Sequence, residues 1–105
     1  MFSWLSPKSR LLRVLGLTVE TVSSEWGRKL GVSNLAGVVI TAVEPNSPAD
    51  GSGLAAGDII REMNRQRIRT AEDYKKVIKT FKSGEDLLVL IEREGSAIYV
   101  AMKIP

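Results

Sequence analysis

A glycine between two large aliphatic residues, in Val14-Leu15-Gly16-Leu17, is the stretch of this 105-residue chain whose residue types suggest a chemical task. Glycine weakens a strand when packing is its only purpose. It also lets successive backbone N–H groups converge on one point, an anion-accepting nest. Gly16 is therefore a candidate for an anion-binding role, in which case a side chain there would block a ligand and leave the fold intact; unfolding would instead mark a structural role. Two stripes on the helix expected after Thr70 are the next candidates. Ala71, Lys75 and Ile78 share one face at i, i+4, i+7, while Tyr74, Val77 and Phe81 share another. The wholly apolar Tyr74-Val77-Phe81 stripe is the core candidate, which leaves the first stripe free.

The sequence has no histidine and no cysteine. Ser-His-Asp and Cys-His catalysis, disulfides, thiolate redox chemistry and the common zinc sites are thereby excluded. Serines are present, but none pairs with a lysine in a plausible motif, so no catalytic residue, metal ligand or cofactor is expected in this chain. Glycines such as Gly53 and Gly57 are read as turn and cap residues. Asp58 is read as a lone acid that fixes nearby amides.

Lys and Arg number 15 against 12 Asp and Glu, a net charge of +3. Residues 1–13 carry Lys8, Arg10 and Arg13 and no acid, so the remaining residues are neutral overall. Arg61, Arg65, Arg67 and Arg69 cluster, but they lack the stacking aromatics or recognition helix of a nucleic-acid surface. They are read as a solvated strand face, and no nucleic-acid partner is expected.

The elements that must position these residues follow from periodicity and chain breakers. Val14 to Val22 reads as a strand, with Leu15, Leu17 and Val19 alternating. Ser23-Ser24 caps a short helix through Trp26 and Leu30, stopped by Gly31. Gly37 to Val43 is a second strand, ended by Pro45 and Pro48. Pro48 to Leu54 makes a helical turn, and Asp58 to Asn64 a third strand. Arg65-Gln66 connects this to an extended piece at Arg67-Ile68. Thr70 caps the longest helix, with Glu72 and Asp73 in its first turn and Ser83-Gly84 closing it. Glu85 to Glu94 and Ala97 to Ile104 form a hairpin around Glu94-Gly95-Ser96. Residues 1–12 read as a flexible amino-terminal arm and 13–105 as one domain. The expected fold is α+β and mainly β: a small antiparallel barrel or sandwich of five or six strands, capped by one long helix and one or two short ones.

With the elements in this order the chain resembles a PDZ domain, of the circularly permuted kind found in bacterial Do/HtrA-type (DegP-like) serine proteases. The resemblance rests on Val14-Leu15-Gly16-Leu17, on Asn46-Ser47-Pro48-Ala49 with Gly53-Leu54 and Gly57-Asp58-Ile59-Ile60, and on Asn64-Arg65-Gln66 before a capped helix and a terminal hairpin. It covers about residues 13 to 104. The ending at Ile104-Pro105 fits a second, carboxy-terminal PDZ domain.

The resemblance implies peptide recognition by strand addition. Val14, Leu15, Gly16 and Leu17 would form the carboxylate-binding loop, Thr18, Val19 and Glu20 the groove strand, and Ala71, Lys75 and Ile78 the groove helix. Leu15, Leu17 and Ile78 would take an apolar terminal side chain, with Arg10 and Arg13 as carboxylate partners. A ligand of about 30 heavy atoms at roughly 0.3 kcal/mol each would bind at about micromolar strength at best. The expected partners are hydrophobic carboxy-termini or extended segments of substrate proteins, whose binding would regulate the protease. Alternatives are an assembly domain with an unused groove contacting neighbouring subunits, or a PDZ domain of a membrane-associated or tail-specific protease. The resemblance implies a periplasmic parent that is a serine endopeptidase. No signal-peptide run begins the chain, and no apolar run is long enough for membrane insertion. Either the chain is cytosolic as it stands or, as the resemblance implies, it is a fragment of a longer exported protein.

Overall fold

The apolar run Val38-Val39-Ile40 alternates nothing, and in the computed structural model, which describes residues 15–31 and 34–104, the reason is visible. Its strand, β2 (Val38–Val43), is covered on both faces. Val38 and Ile40 enter the main core with Leu15, Ile60 and Met63, while Val39 packs on the other face with Val22, Ile59 and Trp26. A strand buried on both sides reads as continuous rather than alternating.

β2 pairs antiparallel with β1 (Leu17–Thr21) and with β3 (Ile59–Met63). β3 continues to β5 (Asp86–Arg93), and β5 to β6 (Ser96–Lys103), giving the order β1-β2-β3-β5-β6. The two-residue β4 (Gln66–Arg67) pairs with β3 off this path. Among the described residues three short helices complete the expected mainly β architecture: α1 (Ser24–Leu30), α2 (Pro48–Gly51) and α3 (Ala71–Ile78).

Local signals act where they were read. Ser23 caps α1 by accepting from Trp26 N–H at 3.2 Å, and Gly31 ends it at φ +70°. Glu94 and Gly95, both at positive φ, turn β5 into β6 through a two-residue loop, with pairing unbroken from Asp86↔Lys103 to Arg93↔Ser96.

Four expectations need correction. α3 ends at Ile78 rather than near Ser83. Thr80 N–H and hydroxyl both bind Val77 C=O, and Phe81 N–H binds Ile78 C=O, so tighter i→i+3 bonds replace the helical ladder. Asn64-Arg65, not Arg65-Gln66, forms the tight turn, because Asn64 is pinned to Leu88 through both its N–H and its side-chain oxygen at 2.7 Å. Arg61 is not a solvated strand residue. Its side chain is 13% exposed, pairs with Glu92 at 2.8 Å and donates to the carbonyls of Asn34 and Ala36. Asp58 does accept from a nearby amide, that of Ala55, yet it is not a lone acid, because Arg93 grips it. The expected arm at residues 1–12, with Val14, lies outside the described residues.

Candidate functional site

β1 ends the sheet, so its outer edge has no strand partner among the described residues. Which backbone groups face that edge follows from the ladder. Glu44 N–H donates to Gly16 C=O at 2.8 Å and Val22 N–H to Gly37 C=O at 3.0 Å. Those bonds bracket Leu17↔Val43 and Thr21↔Val38 as non-hydrogen-bonded pairs. Ile40, opposite Val19, gives its N–H to Asp58 C=O and its C=O to Gly57 N–H, both on the side away from β1. The N–H and C=O groups of Leu17, Val19 and Thr21 are therefore aimed at the open edge. Thr18 and Glu20 are turned to β2, and the extra residue Thr41 bulges between their partners, with its hydroxyl on Thr18 C=O at 3.2 Å.

The loop before β1 is anchored by its carbonyls. Leu15 C=O accepts from Ala49 N–H at 3.1 Å, and Gly16 C=O from Glu44 N–H. The N–H groups of Leu15 and Gly16 have no acceptor among the described residues. Gly16 sits at φ +78°, and a Cβ there would lie 2.2 Å from Ser47 Cβ. Only glycine admits both that backbone and that approach, so packing itself requires Gly16, and a side chain there would not leave the fold intact as the sequence suggested.

α3 flanks β1, and one bond fixes its position. Thr21 Oγ1 accepts the Ala71 N–H at 2.8 Å, satisfying an orphan donor of the first helical turn. Thr70 caps the same turn through Asp73 N–H at 3.2 Å. Thr21 was missed in the sequence because nothing local distinguishes it from any strand threonine.

The structure brings Leu15, Leu17 and Ile78 into one apolar cluster, at 0%, 7% and 1% exposure. Their side chains are closed over by their neighbours. Val19 and Ala71 are half-buried against the same cluster. Lys75 stands at the lip, its side chain 37% exposed and its ammonium 3.7 Å from Glu72. Thr18 and Glu20 point to solvent. Tyr74 and Val77 are buried as the core stripe requires, with Phe81 half-buried beside them. Val14, Arg10 and Arg13 lie outside the described residues. Among the described residues no group of three or more carboxylates could hold a metal ion, and no helix is long and apolar enough to cross a membrane.

Residues 13–104 match the family model described as PDZ domain. Among curated proteins, the chain is 32% identical over 93 residues to a DegP-like periplasmic serine endoprotease of Chlamydia trachomatis, covering 88% of this chain and 18% of that protein. It is 38% identical over 68 residues to the serine endoprotease DegS of Haemophilus influenzae, covering 65% and 20%. The chain thus spans about a fifth of the length of these relatives. Among solved structures, the HtrA-type protease AlgW with decapeptide superposes at a TM-score of 0.78 with 24% identity, over 85% of this chain and 27% of that one. The HtrA3 PDZ domain bound to a phage-derived ligand (FGRWV) superposes at 0.72 with 21% identity, over 85% and 81%. At these identities the superpositions speak to the fold.

Proposed function

The chain belongs to the PDZ domain family, and from that premise we propose that it binds extended peptides with apolar carboxy-termini by adding them as a strand to β1. The carrying observation is the outward row of main-chain groups at Leu17, Val19 and Thr21, which matches the alternate pairing of an antiparallel ligand strand. The N–H groups of Leu15, Gly16 and Leu17 take the ligand carboxylate, with Val14 shaping the loop. Arg10 and Arg13 add charge to the same anion. Leu15, Leu17 and Ile78 receive the terminal side chain, and Ala71 and Lys75 face the residues before it. Thr18, Val19 and Glu20 complete the strand that the peptide joins.

In a parent protein of the DegP-like kind, this domain supplies recognition while a separate domain supplies serine-protease chemistry. Binding of exposed apolar chain ends in the periplasm then regulates that protease. The names of the relatives support this reading.

The test is a titration of the isotope-labelled chain with a pentapeptide ending in valine, free or amidated at its carboxy-terminus. The free acid should shift the amides of Leu15–Leu17, Val19, Thr21 and Ala71, saturating at about micromolar to sub-millimolar peptide. The amide should bind about tenfold more weakly, the loss of one charge-assisted anchor. Absence of any shift at millimolar free peptide sinks the proposal.

A further inference from the structure

Of the four arginines in residues 61–69, Arg65 lies in the tight turn after β3 and the other three divide into two kinds. Arg61 is internal, its guanidinium shared between Glu92 and two loop carbonyls. Arg67 and Arg69 flank the buried Ile68, are exposed, and make no ion pair among the described residues. Both line two shallow hollows. One, of about 340 Å³, extends toward Asn34 and Ala36; the other, of about 360 Å³, extends to Lys76 and Val77 on α3.

The hollow against α3 is lined by three bases, Arg67, Arg69 and Lys76, and by one acid, Asp73, so neighbouring acids offset its charge only in part. Glu92 is held by Arg61, and the Asp73 carboxylate accepts the Arg69 backbone N–H at 3.0 Å. Glu62 sits opposite Arg67 in the β3–β4 ladder without closing to ion-pair distance. Arg67 ends β4 and Arg69 follows two residues later, so two exposed like charges lie close together on this surface. Since residues 14–105 are neutral overall, the excess is local rather than a general basicity.

We propose that this surface docks an acidic segment of a partner protein, its carboxylates paired by Arg67, Arg69 and Lys76. A guanidinium fork matches a carboxylate in plane and spacing. Single-stranded nucleic acid is the other polyanion to consider, but it needs aromatic platforms for its bases, and neither hollow is lined by an aromatic residue. The surface lies along Asp73, Lys76 and Val77 of α3, whereas the peptide groove uses Ala71, Lys75 and Ile78. The two sites share a helix without sharing residues.

The test uses hexaglutamate, acetylated and amidated so that it carries no terminal carboxylate for the groove, alongside hexathymidylate and inorganic phosphate. Hexaglutamate should give saturable shifts centred on Arg67, Arg69 and Lys76 that weaken as salt rises. Arg67→Glu/Arg69→Glu, with an unchanged unfolding midpoint, should bind about tenfold more weakly. Lys76→Ala repeats the test through the α3 wall should the double variant fail to fold. Tighter binding of hexathymidylate, equal shifts from phosphate, shifts spread evenly over Arg28, Lys29 and Lys103, or unchanged affinity in the variants would each overturn the proposal.

Discussion

Arg93 holds the buried carboxylate of Asp58 at two points, Nε to Oδ1 at 2.8 Å and Nη2 to Oδ2 at 2.6 Å. The same guanidinium donates to Gly53 C=O, and the same carboxylate accepts from Ala55 N–H, so the pair ties the loop before β3 to the end of β5. Asp58 is 3% exposed, while the Arg93 side chain is 38% exposed. The hydrogen bond to Asp58 and its negative charge raise the pKa of Arg93 above its ordinary value.

That asymmetry sets the first prediction. Removing Arg93 strands a charge away from water, whereas removing the charge of Asp58 leaves an arginine that water can reach. Arg93→Met should therefore cost about 3 kcal/mol and Asp58→Asn about 1 to 2 kcal/mol. Urea denaturation measures both, and the opposite order of costs would contradict the account.

Gly16 and Ser47 set the second. A Cβ at position 16 meets Ser47 Cβ and must also adopt φ +78°. Gly16→Ala should cost about 2 to 4 kcal/mol, part strain and part collision. In a Ser47→Gly background the collision disappears, and the cap it removes is worth only a few tenths of a kcal/mol. The double variant should thus recover part of the loss. Equal costs of Gly16→Ala in the two backgrounds would show that the close approach does not matter.

The bond between Thr21 and Ala71 joins β1 to α3, the two walls of the proposed groove. Thr21→Val keeps the strand shape and removes the acceptor, so stability should fall by about 1 kcal/mol. Affinity for the valine-ended peptide should fall several-fold, because α3 is no longer registered against β1. Peptide affinity identical to the parent chain would separate this bond from binding.

Tyr74 gives a pH dependence. Its hydroxyl is buried without a hydrogen-bond partner among the described residues, and burial pushes its pKa upward. An unfolded tyrosine ionises near about pH 10. Above that pH the unfolded chain holds fewer protons than the folded one, so rising pH favours unfolding. Stability from this group is complete below about pH 10 and is lost above it. Tyr74→Phe should gain about 1 kcal/mol at neutral pH by removing the unpaired hydroxyl. It should also flatten the alkaline fall, read from urea midpoints at about pH 8 and about pH 10.5. An unaltered alkaline slope would point to other groups.

Much of the fold was legible because its signals are local. Ser23, Gly31, Thr70 and Glu94-Gly95 each act within a few residues, through a cap or a positive φ. The end of α3 was not legible, because Thr80 and Phe81 compete for carbonyls by a bond pattern that composition does not reveal. Of the candidate site, the strand and the capped helix were legible from periodicity and capping, while their reading as a groove came from the family resemblance. The closure of Leu15, Leu17 and Ile78 into the core could not, since burial is a property of packed surfaces.

The sequence by itself determined the order of the elements, the absence of histidine and cysteine chemistry, and the neutrality of everything after residue 13. Tertiary structure alone decided which residues meet. Asp58 and Arg93 are 35 positions apart, and Thr21 and Ala71 are 50. Their partnerships depend on strand order and register, which are set by how the whole apolar surface is buried rather than by any neighbouring residue. The same cause turned one lysine-and-arginine count into an internal Arg61 and an exposed pair at Arg67 and Arg69.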